Sequence, residues 1–235
     1  MITTAADVWD QTRSRLGLRE GIVRWVKEPE EILEPVYKVQ LQMAYLIPDT
    51  LASLVGILRD IHQFDADLSA TGYSNAKQFT LPESCIRVLA VHVDLGAGYK
   101  ECDRKQSDDI GKLGYPNYFD EPTVACPWAI LIGSTIWIAP VASAVSELPV
   151  MLDRITRPDA LTELDDPLQV SSVLREIIPH YVAWWLFTKK HISDLAMSEY
   201  AMFTSSWEQT TGVVWVEPRE GHTPPEDQKT AQERA

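Results

Sequence analysis

Three groups of residues in this 235-residue chain have types and spacings that could do chemistry. The first is Asp94-Leu95-Gly96-Ala97-Gly98, which closes the apolar run that begins at Ile86. A glycine loop after a strand cradles phosphate when a helix follows it, because the helix N-terminus offers unpaired N–H groups to the anion. Here Tyr99-Lys100-Glu101-Cys102-Asp103 leads into charged, glycine-spaced sequence, with no third glycine in place. The string therefore reads as an ordinary glycine turn. The second group is His92 with Asp94, which alternate onto one strand face and are compatible with a metal. No further ligand follows at a useful spacing, and His62, His180, His191 and His222 are dispersed, so a solvated strand face is expected. The third group is the cysteines. A thiol nucleophile needs a base beside it, and neither Cys85 nor Cys126 shows one, so both read as structural thiols. Tyr181, Trp184, Trp185 and Phe187 could stack a base or a sugar, but aromatics at helical spacing are core. The expectation is no catalytic, cofactor-binding or metal residue.

The Asp94–Gly98 string also resembles the first motif of Rossmann-type methyltransferases and a phosphate loop of actin-like ATPases. Without a βαβ continuation, an enzyme built on that loop ranks third among the readings. Composition limits the choice further. Apolar residues make up 45% of the chain and aromatics 9%, ample for a core. A formal charge of −13 opposes a grip on nucleic acid by counterion release, and suits a surface past which DNA slides without sticking. Three cysteines without a Cys-x-x-Cys pair imply reduced thiols and a cytosolic folding compartment. The opening residues MITTAADVWDQ lack the basic and apolar regions of a secretory signal.

Thr3 or Thr4 caps a first predicted helix that runs to Leu16, with Gly17 at its end. A second should follow Pro29, with Pro35 delaying its start and Ile32, Val36, Val39 and Met43 along its apolar stripe. Pro48-Asp49-Thr50 breaks it and caps a third, with Leu51, Leu54, Val55, Leu58 and Ile61 at helical spacing. Residues 65–77 read as turn-rich. Phe79–Pro82 is a short strand, Ile86–Leu95 the central strand of a small sheet, and 96–122 a long excursion carrying Tyr99, Tyr115, Tyr118 and Phe119. After Asp166-Pro167, read as an N-cap and a first helical residue, come Val170, Val173, Leu174, Ile177 and Ile178, with Pro179 kinking or splitting the helix. A buried helix over 181–187 precedes a last one bearing Leu195, Ala196, Tyr200, Phe203 and Trp207 and ending before Gly212. Val213–Val216 reads as one short strand and the tail from Pro218 as flexible.

The stretch Trp128–Ile155 mimics a membrane span in hydropathy, but Gly133, Ser134, Pro140 and Pro149 punctuate it. It reads as a hairpin, Trp128–Ile132 and Thr135–Val141 about a Gly-Ser turn of the II′ kind. Glu147–Ile155 follows as an edge-like strand that tolerates Pro149.

Taken in order, a helical start, Phe79-x-Leu81-Pro82, IRVLAVHV, a variable loop, Gly-Ser and Ile-Trp-Ile-Ala-Pro, Leu-Pro-Val-Met-Leu, Arg-Pro-Asp-x-Leu and closing helices with Ala196, Tyr200 and Phe203 make a pattern. It resembles the tailed-bacteriophage head-to-tail connector or adaptor proteins, the group that includes the tail tubular protein A type, over about Val8 to Gly212. The Gly96–Pro122 loop and the helix from Pro48 to Ile61 depart from it. The resemblance implies an α+β fold, an α-helical bundle from the N- and C-terminal segments with a small antiparallel β-sheet insertion. The corresponding segments are 1–70 and 158–212 for the bundle helices, 71–157 for the insertion with its loop at 96–122, and 213–235 for a flexible tail. It also implies no catalysis and no cofactor. The expected assembly is a homo-oligomeric ring, dodecameric by resemblance, that meets the portal protein above and tail or nozzle proteins below. Double-stranded DNA passes without sequence-specific binding, and no membrane is involved. The expected location is the virion neck, with the host cytoplasm during assembly. The second reading, from another class, is an acidic inhibitor or immunity-type protein that masks a basic partner at a fixed low stoichiometry.

Overall fold

The computed structural model describes residues 2–16, 29–55, 58–114 and 121–216. The expected helix end at Gly17, the Tyr115–Phe119 part of the excursion and the tail from 217 onward lie outside them. The chain divides into two compact units. Met1–Leu58 and Arg157–Ala235 form one, and Arg59–Thr156 the other.

The first unit is helical. Helix α1 (Ala5–Arg15) starts at Thr4, whose hydroxyl accepts from Asp7 N–H while the Asp7 carboxylate accepts from Thr4 N–H, so two orphan donors of the first turn are satisfied reciprocally. A 3₁₀ turn at Pro29–Ile32 feeds α2 (Leu33–Leu46), which buries Val36, Val39, Gln40, Met43 and Ala44. Short α3 (Asp49–Val55) follows Pro48. On the other side of the chain, α4 (Ser172–Arg175) and α5 (Ile178–Lys189) are separated near Pro179, which sits in the first turn of α5, where a missing N–H costs nothing. Helix α6 (Ser193–Thr211) ends on Gly212 in the left-handed region, φ +70°.

Helices α1 and α2 both pack on α5, and α5 on α6. Polar stitches join the distant segments. Leu168 N–H donates to Thr3 C=O at 2.9 Å, Gln169 N–H to Gln40 Oε1 at 2.8 Å, and Arg175 reaches the carbonyls of Val170 and Leu168 at 2.7 and 2.8 Å.

The described residues of the second unit form nine strands. Strands β1 (Arg59–Asp67), β9 (Glu147–Thr156), β4 (Cys85–Asp94) and β5 (Tyr99–Glu101) form a four-stranded sheet in that order. Strands β2 (Ser69–Ala70), β3 (Lys77–Thr80), β8 (Thr135–Ala139), β7 (Trp128–Ile132) and β6 (Asp103–Lys105) form a five-stranded one. One core receives Val88, Val91, Val93, Leu148, Val150 and Leu152 from the first sheet and Phe79, Ala129, Ile136 and Ile138 from the second, so the sheets pack face to face. The far face of the five-stranded sheet is also buried. Trp128, Ile130 and Ala139 pack there with Leu113 of a 3₁₀ helix at Ser107–Gly114.

Several expectations are corrected. The fold is α+β, but a helical bundle carrying a small antiparallel sheet insertion is overturned by two sheets of four and five strands, with β6 running parallel to β7. Ile61 ends no helix; it lies in β1, whose outward positions alternate exposed. Strand β9 is interior, paired with both β1 and β4. It carries Pro149 because the β4 ladder ends at Val93 opposite Val150, one residue short of the proline. Asp166 caps no helix. Its carboxylate accepts from Thr162 and Glu163 N–H at 2.6 and 2.9 Å and fixes a turn instead. Val213–Val216 is no strand, and Trp215 there is buried against the helices. Trp128–Ile132 and Thr135–Ala139 do form the hairpin, with positive φ at Gly133 and not at Ser134, the II′ pattern. Among the described residues no helix is long and apolar enough to cross a membrane.

Candidate functional site

The glycine string is a hairpin loop between β4 and β5. Gly96 and Gly98 take φ +97° and +83°, and their N–H groups donate to Asp94 Oδ1 at 2.8 and 2.9 Å. A carboxylate of the chain itself thus fills the place a phosphate would need, and the chain continues as a strand rather than a helix. His92 pairs across the sheet with Met151 and Glu101, while Asp94 is engaged by its own loop. Among the described residues no group of three His, Cys, Asp or Glu side chains is placed to hold a metal.

The three thiols are free and lie in different surroundings. Cys102 is buried in the sandwich, and burial, aided by the Glu101 charge, pushes its pKa up to about 12. Cys85 is pushed up by burial as well, with Arg154 opposing. Such thiols are poor nucleophiles at neutral pH, because the thiolate is the reactive form. Cys126 is exposed at a turn.

The aromatic group predicted on the late helices is the start of a larger seam. Tyr181 and Phe187 of α5 are buried, and Trp184 and Trp185 are half-buried. Tyr181 meets Trp184, Phe203 and Trp215 at ring-centroid distances of 5.0, 5.2 and 6.0 Å, and Trp215 meets Trp207 edge-on at 5.2 Å. Trp184 and Tyr200, 5.0 Å apart, bring the seam to the surface. They line an open groove of about 400 Å³ with Ile192, Ala196 and Met197 beside the α5–α6 turn.

Next to the groove, His180 Nδ1 and Glu199 Oε2 meet at 2.6 Å across α5 and α6, both largely buried. Nineteen residues separate them in sequence, and nothing in their local spacing marked the pair. On α6, Leu195, Met197 and Met202 are 43%, 73% and 49% exposed, Leu195 and Met202 on one flank of the helix and Met197 on the other, at the groove. Exposed apolar side chains of this size fit a contact surface. Leu195 is turned outward because Ala196, Phe203 and Trp207 occupy the buried stripe.

The described residues present a helical unit with exposed apolar side chains on α6 beside a groove, and a β unit in which Asp94 is engaged by its own glycine loop. No protein-family model and no curated protein sequence matches the chain.

Proposed function

We propose that the chain is a head-to-tail connector subunit of a tailed bacteriophage, a virion structural protein that works through protein–protein interfaces and performs no reaction. The observation that carries this reading is the set of exposed apolar side chains on α6, Met197 at the Trp184–Tyr200 groove and Leu195 with Met202 on the other flank of the helix. Apolar side chains of this size, left on the surface of an otherwise acidic chain, fit a subunit whose interfaces close only on assembly. The order of segments that resembles the connector proteins adds its support, and so does the net charge of −13, which lets DNA pass a channel wall without adhering. In this reading the partners are further copies of the chain in a ring, a portal protein on one side and tail components on the other.

Native mass measurement and electron microscopy of the purified chain, alone and mixed with a portal protein, test it. A closed ring in either sample is the expected result. A chain that stays monomeric and never joins the portal overturns it. A complex of fixed low stoichiometry with a basic protein supports the inhibitor reading instead.

A further inference from the structure

Strand β1 is nine residues long, pairs with β9 along its whole length, and ends the four-stranded sheet. On the side away from β9 its backbone groups have no partner among the described residues. Edge strands are commonly blunted by brevity, proline, a bulge or charged side chains. β1 is long and has neither proline nor bulge, since the register irregularities of this sheet lie in β4 and its proline lies in β9; its protection is charge, with Asp65 and Asp67 opposing any strand that does not bring cations. The opposite edge is treated differently. Beyond β5, the carbonyls of Val88 and Leu89 on β4 are capped by the Arg104 guanidinium at 3.1 and 3.5 Å.

We infer that the free edge of β1 accepts an extended segment of another protein that carries basic residues, adding a fifth strand to this sheet. Strand addition draws its affinity from main-chain hydrogen bonds and its selectivity from alternate side chains. The alternate side chains of β1 are informative. Ile61, Asp65 and Asp67 share the outer face, and Ile61 is 59% exposed. Asp67 lies directly opposite Glu147 on β9, and the side chains of Asp65, Asp67 and Glu147 make no ion pair or hydrogen bond among the described residues. Like charges directly opposite each other on a sheet are destabilising, and a cation on an added strand relieves them. An incoming antiparallel strand puts its residues opposite Asp67, Asp65 and Ile61 in that order, two and then four positions apart. The segment that fits is Lys/Arg-x-Lys/Arg-x-x-x-apolar.

The occupant is a different chain. In the whole sequence the only basic pair at that spacing is Arg13 and Arg15, followed at the apolar position by Arg19. The parallel arrangement, Trp9-x-x-x-Arg13-x-Arg15, lies within α1 and is helical. A second copy therefore offers no matching strand. This inference stands apart from the ring reading, since it concerns the isolated β unit and its partner peptide.

The test uses the full chain and a synthetic peptide of pattern Lys-Thr-Lys-Val-Thr-Val-Ile, with two controls. One carries Glu for both Lys, and the other is N-methylated at alternate backbone amides. The expected result is saturable binding, new hydrogen-exchange protection of β1 amides, and loss of binding with both controls. The exposed double variant D65N/D67N should bind the Lys peptide roughly tenfold more weakly, as two lost cross-strand charge pairs imply, with its circular dichroism unchanged. Absence of binding at millimolar peptide overturns the inference. So does binding that survives backbone methylation, which would be a side-chain contact, or a β1 edge found already closed by a second copy.

Discussion

Arg154 and Asp60 face each other across the β1–β9 ladder, and the buried guanidinium donates from Nε and Nη2 to one carboxylate oxygen at 3.2 and 2.9 Å. Arg154 is 6% exposed, whereas the Asp60 side chain is 46% exposed, so the arginine depends on the pair more than the aspartate does. One register step away, Arg59 grips both oxygens of Asp153 at 2.8 and 2.5 Å from a more exposed position. Removing a partner from a buried charge costs more than the pair itself contributes. Asp60→Ala should lower the stability of the β unit by about 2–3 kcal/mol, and Arg59→Ala by less, because its pair with Asp153 is open to solvent. Urea denaturation of the two variants checks the ranking.

Acid should weaken the protein through carboxylates that hold turns and caps. Hydrogen bonds from the Thr3 hydroxyl, then from Thr3 and Thr4 N–H, hold Asp7 below the usual carboxylate range. Backbone donation from Glu163 and Thr162 does the same for Asp166. A folded-state pKa lower than the unfolded one gives stability that is present above the unfolded value and lost as pH falls through the folded one. The acid limb should therefore open near about pH 4, the ordinary aspartate value, and deepen below it. Asp7→Asn should flatten part of that limb and leave the profile at neutral pH parallel to that of the parent, read from urea midpoints across pH.

The thiols should react in a fixed order. At neutral pH a thiol reagent should label exposed Cys126 first, Cys85 slowly and Cys102 only on unfolding, followed by mass spectrometry of digests. Cys102 has a raised folded value, about 12 against an ordinary 9.0. Its contribution to stability is thus complete below about pH 9 and falls as pH rises toward 12, because only the unfolded thiol ionises in that interval.

The exposed methionines of α6 offer a test of assembly separate from folding. Met197 and Met202 are exposed, so Met197→Asp with Met202→Asp should change the unfolding free energy by less than about 1 kcal/mol. Ring or portal association should be lost in the same variant, measured by native mass. Trp215→Ala should do the opposite, costing about 3 kcal/mol or more through the aromatic seam.

Features encoded within a few residues were legible in the sequence. Thr4, the Gly133-Ser134 turn, Pro48 and Gly212 each act locally, and each ends or starts an element where its chemistry says it should. What depended on distant pairing was not. Arg59–Asp67 shows no apolar alternation because Asp60 and His62 take two of its inward positions while Ile61 faces out, and so it resembled a helix tail and a turn. Tyr99–Glu101 and Asp103–Lys105 are short, charged strands that exist only because β4 and β7 supply their ladders. Pro149 marked β9 as an edge, and only the place where β4 stops pairing shows why an interior strand carries it. The candidate chemistry at Asp94–Gly98 was read correctly as a turn, since no helix followed. The α5–α6 groove and the His180–Glu199 contact were invisible, because each is assembled from two helices.

The ladder on which Arg154 and Asp60 sit begins with Arg59 opposite Ile155, so the chain enters and leaves the β unit on neighbouring strands. Paired residues of an antiparallel ladder stand only about 5 Å apart. Residues 59–156 are in this sense a cassette, and a short tight turn could bridge the gap they would leave. A lineage carrying this protein could trade the cassette for another, and so change what the subunit grips, without redrawing the helices that precede and follow it.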